Sequence, residues 1–594
     1  MKREFYCFIL MVLLQGDFLH SQVKSDQEVL RLANTIPQEK MFVHYNTSVG
    51  IAGESLRYKL YAISEATNKL ISISKLGYVE IIGKNDIVLF QQKIKLENGS
   101  GYGDFFIPVN VKSGNYKIIA YTHWMKNKGE ENYFKGDLAI INPYSEDQTA
   151  IIGSIEESDS STHSEKSFQI LPESTAKNSL ASISTSAKNY GKREKVLVNI
   201  DLQVADAASG SYSMLVRKLD TFDKPQRPNA DNWSLNEPSK KLVQEFKEGK
   251  YFPEIRGEIL KGKILSRASA NVSVNNKVLA LSIPGRNDIL KFAKTDDDGK
   301  FHFILDVSES GGESAVLQVM DMDVEDFDIR LNEKFTQNYK NLEFSNFRFK
   351  PEMEEWLKER SIYNQIENSY LIVKSDEIIS SSQDLPFYGE MTEIYDLDDY
   401  TRFQTVKETF VEIIKFGSIK KGNDGKNHFE VRSYRTSLSS GLPTLLLVDG
   451  LLIQNHEEFM DFDSRKIDKI GILRDKYYLG PLVFQGVITI ETKQQDYFLS
   501  VNQDLILEKG TLKTSPEKTY FSPDYEVSRQ EKIPDFRYEL YWNPDVKVKK
   551  EDQPIEFYTS DVSGTFLITL EGFTGEGKPV SASKTIKVLE SEDL

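Results

Sequence analysis

The chain has 594 residues, of which 39% are hydrophobic and 11% aromatic. This length exceeds what a single hydrophobic core supports, so we expect four or five globular domains of roughly 100 to 150 residues each. The formal net charge of −16 disfavours nucleic acid as a partner, because binding to phosphates requires a basic surface.

The first predicted element is a signal peptide over residues 1–21. Two basic residues precede an apolar run over 5–14, and a cleavage region follows. The run is shorter than the roughly 18 to 20 residues of a membrane-spanning helix, so we expect export and no transmembrane segment after cleavage. The single cysteine, Cys7, lies in this segment, so the exported chain is expected to lack disulfides, thiolate metal sites and cysteine nucleophiles.

Residues 22–145 are predicted to form a β-sandwich, because short runs of alternating apolar residues are separated by turn signals. Segments 102–105 and 113–125 resemble the macroglobulin-type sandwich at the front of a group of large exported proteins of Gram-negative bacteria. Macroglobulins trap proteases through a cysteine thioester, and that chemistry is excluded here. Tyr121 and Trp124 are candidate partner-contact residues, although aromatic residues in strands more often fill a core.

A linker is predicted over 146–190, where serine, threonine, asparagine and glutamate are frequent. Residues 191–250 resemble the second sandwich of the same exported group, and because the segment is short, later strands are an option for completing it. Residues 255–335 resemble the carboxypeptidase-regulatory-like sandwich, a non-catalytic fold. The three aspartates at 296–298 invite a calcium-binding interpretation, but calcium loops alternate their acidic ligands, so a hairpin turn is favoured.

Residues 336–440 are predicted to form a mixed helical and extended region that precedes the next domain. Apolar residues at helical spacing predict helices over 352–372 and 406–416. The charged side chains within 397–403 are either an interaction patch or the capped start of a helix. The cap is the favoured interpretation, because acidic residues are common at helix starts.

Residues 441–498 are predicted to form a small α/β module. An apolar strand ends at the turn dipeptide Asp449-Gly450, and further apolar strands follow over 467–473 and 487–490. This order of segments resembles the plug domain of TonB-dependent outer-membrane receptors, which lies inside a barrel formed by the same chain. The roughly one hundred residues that follow are too few for such a barrel. We therefore expect a plug-like domain without a barrel, with Asp449 and Gly450 as candidate partner contacts or as a strand-ending turn.

Residues 499–594 are predicted to end the chain with a C-terminal β-sandwich that is again similar to the exported group. No serine lies in a G-x-S-x-G motif, and no Gly-Lys pair precedes serine or threonine as in a phosphate loop. His456 begins like a zinc-binding helix, but Met460 occupies the position of the second histidine. We therefore expect no enzyme activity, no cofactor and no metal.

The sequence as a whole predicts a mainly β protein of tandem immunoglobulin- and macroglobulin-like sandwiches plus a small α/β plug-like domain. The favoured function is a non-enzymatic, outer-membrane-associated envelope protein that contacts other proteins, and its specific form is an accessory subunit of a TonB-dependent transporter or export machine. The alternative is a surface adhesin that binds glycan or a host protein. The expected partner is an outer-membrane protein, with this chain peripheral to the membrane on its periplasmic or surface side.

Overall fold

Strands dominate the computed structural model, which describes residues 35–152, 180–204, 206–235, 251–267, 272–284, 288–306, 315–320, 326–332, 335, 339, 342–379, 386–422, 424–434, 441–480, 482–497, 506–507, 514–526, 532–548 and 553–590. The predicted signal peptide over 1–21 and residues 153–179 of the predicted linker lie outside this set. Paired sheets and a small α/β unit confirm the predicted fold class. No helix in the described part of the chain is long and apolar enough to cross a membrane.

The first sandwich contains eight strands: β1 (Glu39–Tyr45), β2 (Val49–Ile51), β3 (Ser55–Ser64), β4 (Leu76–Gly83), β5 (Ile87–Lys95), β6 (Ser100–Phe106), β7 (Gly114–Tyr121) and β8 (Phe134–Ile141). Their sheets have the orders β1-β3-β6 and β2-β8-β7-β4-β5, and only β2 and β8 pair in parallel. Apolar side chains from both inner faces form the core between the two sheets.

The chain then forms β9 (Ala181–Thr185), β10 (Asn189–Tyr190), β11 (Lys195–Leu202), β12 (Ser211–Lys218) and the short helix α1 (Ala230–Leu235). A further sandwich follows, with β13 (Gly257–Ser266), β14 (Val278–Ile283), β15 (Ile289–Lys294), β16 (Lys300–Asp306), β17 (Ala315–Val319) and β18 (Phe327–Leu331). We call this unit the third sandwich. Its sheets have the orders β16-β13-β18 and β15-β14-β17, and its core lies between them.

The aspartates at 296–298 lie in a tight turn that joins β15 to β16, and the predicted hairpin does not form because these two strands belong to different sheets. The Asp296 carboxylate accepts the backbone N–H groups of Asp298 at 3.0 Å and Lys300 at 2.8 Å. The Asp298 carboxylate forms an ion pair with Lys300 Nζ at 2.8 Å. These carboxylates therefore serve the turn, because aspartate readily bonds to backbone groups two residues ahead.

The longest helix, α2 (Glu354–Ser369), lies within the predicted helix over 352–372, and the short strand β19 (Glu377–Ile378) follows it. Its buried face is polar. Arg360 forms two bonds to Glu54, at 2.7 and 2.6 Å, and Asn364 Nδ2 donates to Ala52 O at 3.0 Å. The helix is thus attached to the first sandwich by polar groups.

The plug-like region comprises β20 (Glu393–Asp396), α3 (Val406–Glu412), β21 (Gly417–Lys421), β22 (Asn427–Val431), β23 (Leu445–Val448), β24 (Leu451–Leu452), α4 (His456–Met460), β25 (Ile467–Leu479) and β26 (Leu482–Thr492). Its main sheet has the order β20-β25-β26-β23-β24, and β23 is buried along its whole length. Thr405 and Glu408 form a reciprocal capping box at the start of α3. The helix ends four residues before position 416, because the chain there turns into β21.

The last strands are β27 (Ile506–Leu507), β28 (Lys518–Thr519), β29 (Glu539–Val546), β30 (Ile555–Tyr558), β31 (Gly564–Phe573) and β32 (Pro579–Val588). β27 pairs with β17, and β28 pairs with β19. The others complete two sheets, β10-β32-β31-β12-β29 and β30-β11-β9. Strands from the segments predicted as separate second and C-terminal sandwiches, 191–250 and 499–594, therefore lie in one structure, which we call the second sandwich.

Candidate protein-interaction surface

The two aromatic contact candidates of the first sandwich are completely buried. Tyr121 is 0% exposed, its ring stacks on Tyr133 with centroids 4.2 Å apart, and its hydroxyl donates to Glu80 Oε1 at 2.5 Å. Trp124 is also 0% exposed, and its indole N–H donates to Pro37 O at 3.1 Å. Both side chains belong to the core, with their polar atoms bonded inside it, and neither lies on a surface that a partner could reach.

The Asp449-Gly450 pair forms the two-residue turn between β23 and β24. Both residues have positive φ, 45° and 78°, as a type I′ hairpin turn requires. The Asp449 carboxylate accepts the Thr492 N–H at 2.7 Å and the Tyr497 N–H at 3.1 Å. A Cβ added to Gly450 would lie 2.3 Å from Asp288 Oδ1, so the turn faces the third sandwich of the same chain. The four contact candidates are therefore not brought together.

One group of carboxylates in the described part of the chain has its oxygens close enough to share a cation: Asp396, Asp398 and Asp468. Asp398 is already ion-paired with Arg402 and with Lys493, the latter at 3.3 Å. The hydrogen bond from Arg402 is the main cause of a lowered pKa of Asp398. Asp398, the exposed member of the group, is therefore paired with two cations, and Asp396 and Asp468 lie half-buried beside it.

The structure reveals an apolar surface that follows helix α2. Five aliphatic side chains within nine residues are exposed, and we call them the apolar loop: Leu371 (55%), Ile372 (95%), Val373 (56%), Ile378 (63%) and Ile379 (50%). No other nine-residue stretch of the described chain exposes more than two large apolar side chains. Such clusters on a protein surface mark contact sites for other molecules.

Lys374, inside the same loop, points into the protein. Its ammonium group lies 2.7 Å from Glu367 Oε2, 2.7 Å from Pro534 O and 3.9 Å from Asp535 Oδ1. Its side chain is only 8% exposed. This single lysine fastens the loop to helix α2 and to the second sandwich.

Asp376 is a second anchor, and it attaches the loop to the first sandwich. Its carboxylate accepts the Phe521 N–H at 3.0 Å and lies 3.8 Å from Arg57 and 3.7 Å from Lys518. Two charged side chains of the loop, Lys374 and Asp376, are thus turned inward, whereas Glu377 and the aliphatic side chains are exposed. This reverses the usual arrangement of a surface loop and holds the apolar side chains in defined positions.

The anchoring charges are maintained by neighbouring groups. Burial acts to raise the pKa of Asp535, but Arg537, whose Nε lies 2.7 Å from Asp535 Oδ1, outweighs burial, and the pKa lies below its usual value. Burial also raises the pKa of Glu367, and Lys374 acts against that shift. Asp535 therefore stays ionised throughout the physiological pH range and acts as a counter-ion of Lys374.

A small cavity of about 10 Å³ adjoins the apolar loop. Its wall includes Val373 of the loop together with Phe521, Pro523 and Tyr525 from the chain that precedes β29. The Tyr525 hydroxyl donates to Asp535 Oδ2 at 2.5 Å, which fixes that wall. The cavity is a shallow depression beside the aliphatic side chains and extends the same surface.

This surface was not predicted from the sequence. The predicted helix over 352–372 includes residues 370–372, and apolar residues of a helix are expected to pack inward. The sequence contains a signal that the helix has ended, because apolar residues recur at 378–379 at a spacing that does not fit a helix. Only the end of the helix at Ser369 shows that these residues leave the helical face.

Neither the protein-family models nor the curated proteins contain a match to this chain. Among solved structures, the chain is similar to a trypsin-activated α2-macroglobulin from Escherichia coli, with 9% identity and a TM-score of 0.23 over 94% of this chain and 42% of that chain. It is also similar to a methylamine-reacted Salmonella α2-macroglobulin, with 8% identity and a TM-score of 0.22 over 93% and 39%.

An Escherichia coli adhesin is similar over 30% of this chain and 46% of its own, with 11% identity and a TM-score of 0.14. The present chain thus spans less than half the length of the macroglobulins it matches. At such TM-scores these likenesses assign neither a family nor a function.

Proposed function

We propose that this chain is a non-enzymatic, exported envelope protein that binds an outer-membrane protein through the apolar loop at residues 371–379. The observation that carries the proposal is the exposure of five aliphatic side chains on a loop that the inward-facing Lys374 and Asp376 anchor to the rest of the protein. A partner that covers these side chains removes apolar area from water, which favours association.

The energetics identify Ile372 as the centre of this proposed contact. Complete burial of an aliphatic side chain contributes about 1.5–3 kcal/mol, and Ile372, at 95% exposure, has nearly all of this to gain. The loop is anchored through Lys374 and Asp376 before any partner arrives, so binding costs less conformational entropy than it would for a free loop. Both effects are typical of interface residues that dominate affinity.

The specific form of the proposal is an accessory subunit of a TonB-dependent transporter or export machine at the outer membrane. Its support is the resemblance of residues 441–498 to a receptor plug. One face of the plug-like sheet is covered within the chain, where Leu445 and Leu447 pack in one cluster with Leu290 of the third sandwich. We therefore assign the partner contact to the apolar loop rather than to that face.

The test is affinity copurification of the tagged chain from gently solubilised envelopes, with mass spectrometry of the bound proteins. Three chains are compared: wild type, Ile372→Asp, and Val411→Asp as the matched control. Val411 is 68% exposed on α3, so the control adds the same charge at another exposed apolar position outside the apolar loop. We expect an outer-membrane protein at near-equal amount with wild type and the control, and its loss with Ile372→Asp.

Two results contradict the proposal: a chain that purifies alone, or equal recovery of the partner with Ile372→Asp. Circular dichroism and thermal unfolding of each variant exclude misfolding as the cause of a loss. Protease treatment of intact cells reports the side of the membrane, because cleavage requires exposure at the cell surface and protection indicates the periplasm. Cleavage together with a chain that purifies alone favours the adhesin alternative.

A further inference from the structure

A cavity of about 30 Å³ lies between the first and second sandwiches. The turn between β1 and β2 forms one wall, strands β12 and β31 form another, and the segment after β12 closes it. Four basic side chains line this small space: Arg217, Lys218, Lys224 and Arg227. Four cations around one cavity repel each other unless anions are interposed.

Two polar groups at this cavity are buried without a hydrogen-bond partner among the described residues: Arg217 Nη2 and Thr569 Oγ1. Thr569 is only 7% exposed and lies on β31, opposite the basic segment that follows β12. A buried hydroxyl or guanidinium N–H without a partner is costly, and such groups usually mark a bound ion or water. Both can donate a hydrogen bond into the cavity.

The acidic neighbours leave part of this positive charge unbalanced. Lys224 pairs with Asp220 at 2.8 Å and Lys218 with Glu359 at 4.0 Å. Arg217 lies 3.4 Å from Glu539 and 3.6 Å from Glu54. Arg227 donates to the carbonyl oxygen of Tyr45, and it forms no ion pair with a carboxylate in the described part of the chain. Arg227 therefore presents a guanidinium charge that no side chain of the described chain neutralises directly.

Two carboxyl groups, Glu571 and Glu539, act on Arg227 without forming an ion pair with it, and the contribution of Glu571 is weak at neutral pH. Glu571 acts on Arg227, but burial raises the pKa of Glu571 to about 8, so that this carboxyl group is largely protonated at pH 7. Burial also lowers the pKa values of Arg227 and Lys224. Charge repulsion from Arg217 lowers both pKa values further, and Arg227 acts on Lys224 in the same way. An added anion would relieve this repulsion.

We propose that the cavity binds one small oxyanion group, a carboxylate or a phosphate, coordinated by Arg217, Arg227 and Thr569. Guanidinium groups match the paired oxygens of both kinds of anion. A volume of about 30 Å³ accommodates two or three water-sized groups at roughly 10–15 Å³ each, which suits the oxygen atoms of one such group. Because both sandwiches line the cavity, the anion strengthens the junction between them.

The test titrates the full exported chain with inorganic phosphate and, separately, with acetate, using calorimetry and thermal unfolding. Sodium chloride at the same ionic strength serves as the reference. Thr569→Val retains the shape of the side chain and removes only the hydroxyl, so it should fold and weaken anion binding roughly tenfold. Arg227→Gln should abolish detectable binding. Lys587→Gln, an exposed charge on β32, is the matched control and should bind as wild type does.

Saturable stabilisation by phosphate alone assigns a phosphate ligand, and saturable stabilisation by acetate alone assigns a carboxylate. Either result supports the proposal if Thr569→Val and Arg227→Gln weaken it and Lys587→Gln does not. Equal stabilisation by phosphate, acetate and chloride overturns it, because that pattern reflects general screening. Unchanged binding in Arg227→Gln, or the absence of saturation in wild type, also overturns it and identifies the cavity as one filled by water.

Discussion

The junction between the first and second sandwiches buries ion pairs beside aromatic contacts such as that of Phe42 with Phe573, whereas the junction between the third sandwich and the plug-like domain is apolar. At the charged junction, Arg360 of helix α2 bonds twice to Glu54, and its side chain is 1% exposed. At the apolar junction, Leu445 and Leu447 pack in one cluster with Leu290. The same chain therefore joins its domains by two different kinds of contact.

Substitutions at the two junctions should therefore destabilise the protein for different physical reasons. Buried ion pairs add little net stability over apolar contacts, but removal of one partner leaves an uncompensated charge in the interior. Apolar contacts have no directional requirement and respond mainly to lost volume. We therefore expect the charged junction to be sensitive to charge and pH, and the apolar junction to be sensitive to size.

The largest effect is expected for Arg360→Met at the charged junction. The substitution leaves the buried carboxylates of Glu54 and Asp220 without their shared cation, and a loss of about 3–5 kcal/mol in the free energy of unfolding is expected. Urea unfolding measures it. Arg330→Met, which removes an ion pair with the exposed Asp328, is the control and should cost about 1 kcal/mol or less. Equal effects of the two substitutions would remove the distinction between the junctions.

The next largest effect is expected for Leu447→Ala at the apolar junction. Leu447 is 1% exposed, and its truncation leaves a cavity, so a loss of about 2–5 kcal/mol is expected. The loss should not change between pH 5 and 9, because no ionisable group is removed. Leu371→Ala, on the exposed loop, is the size-matched control. A pH-dependent loss would show that the apolar junction depends on charges as well.

A smaller effect is expected for Gly450→Val, which tests the turn that faces the third sandwich. Valine strains the backbone at φ +78°, and its Cβ would meet Asp288 at 2.3 Å, so a loss of about 1–3 kcal/mol is expected. Thermal unfolding and partner recovery are measured together. Unchanged melting with lost partner binding would instead assign this turn to an intermolecular contact.

The smallest effect, expressed per pH unit, is expected from Glu571 at the charged junction, where the free energy of unfolding should depend on pH. Burial raises the pKa of Glu571 to about 8, above its ordinary 4.5, so the folded state holds the proton more tightly. The resulting stabilisation is complete below pH 4.5 and is lost as the pH rises through 8. The stability of wild type relative to Glu571→Gln should therefore fall with increasing pH by at most about 1.4 kcal/mol per unit.

Urea unfolding of both chains from pH 5 to pH 8 measures this difference. Glu131→Gln, at an exposed position, should show no such slope relative to wild type. A flat difference for Glu571→Gln would mean that the carboxyl group is ionised in the folded protein. The proposal that the charge of Arg227 lacks a counter-ion would then need revision, because an ionised Glu571 would partly balance that charge.

The sequence determined the local parts of this structure. The buried strand β23 and the turn at Asp449-Gly450 each depend on residues close together in the chain, so their patterns are readable directly. The mainly β class follows from the same alternation, since successive strand residues point to opposite faces. The start of α2 was readable, but its polar buried face was not, because apolar spacing does not reveal which ion pairs a helix will bury.

Which segments meet and which faces are covered depends on tertiary contacts between distant parts of the chain. β12 pairs with β29 and β31, more than three hundred residues away, so segments predicted as two sandwiches form one. Tyr121 and Trp124 are buried in the core, whereas Ile372 lies on the surface, although all three are large, mainly apolar side chains in regular sequence patterns. The physical reason is that local sequence sets the alternation of a strand or helix, whereas exposure and charge balance depend on distant groups that pack against it.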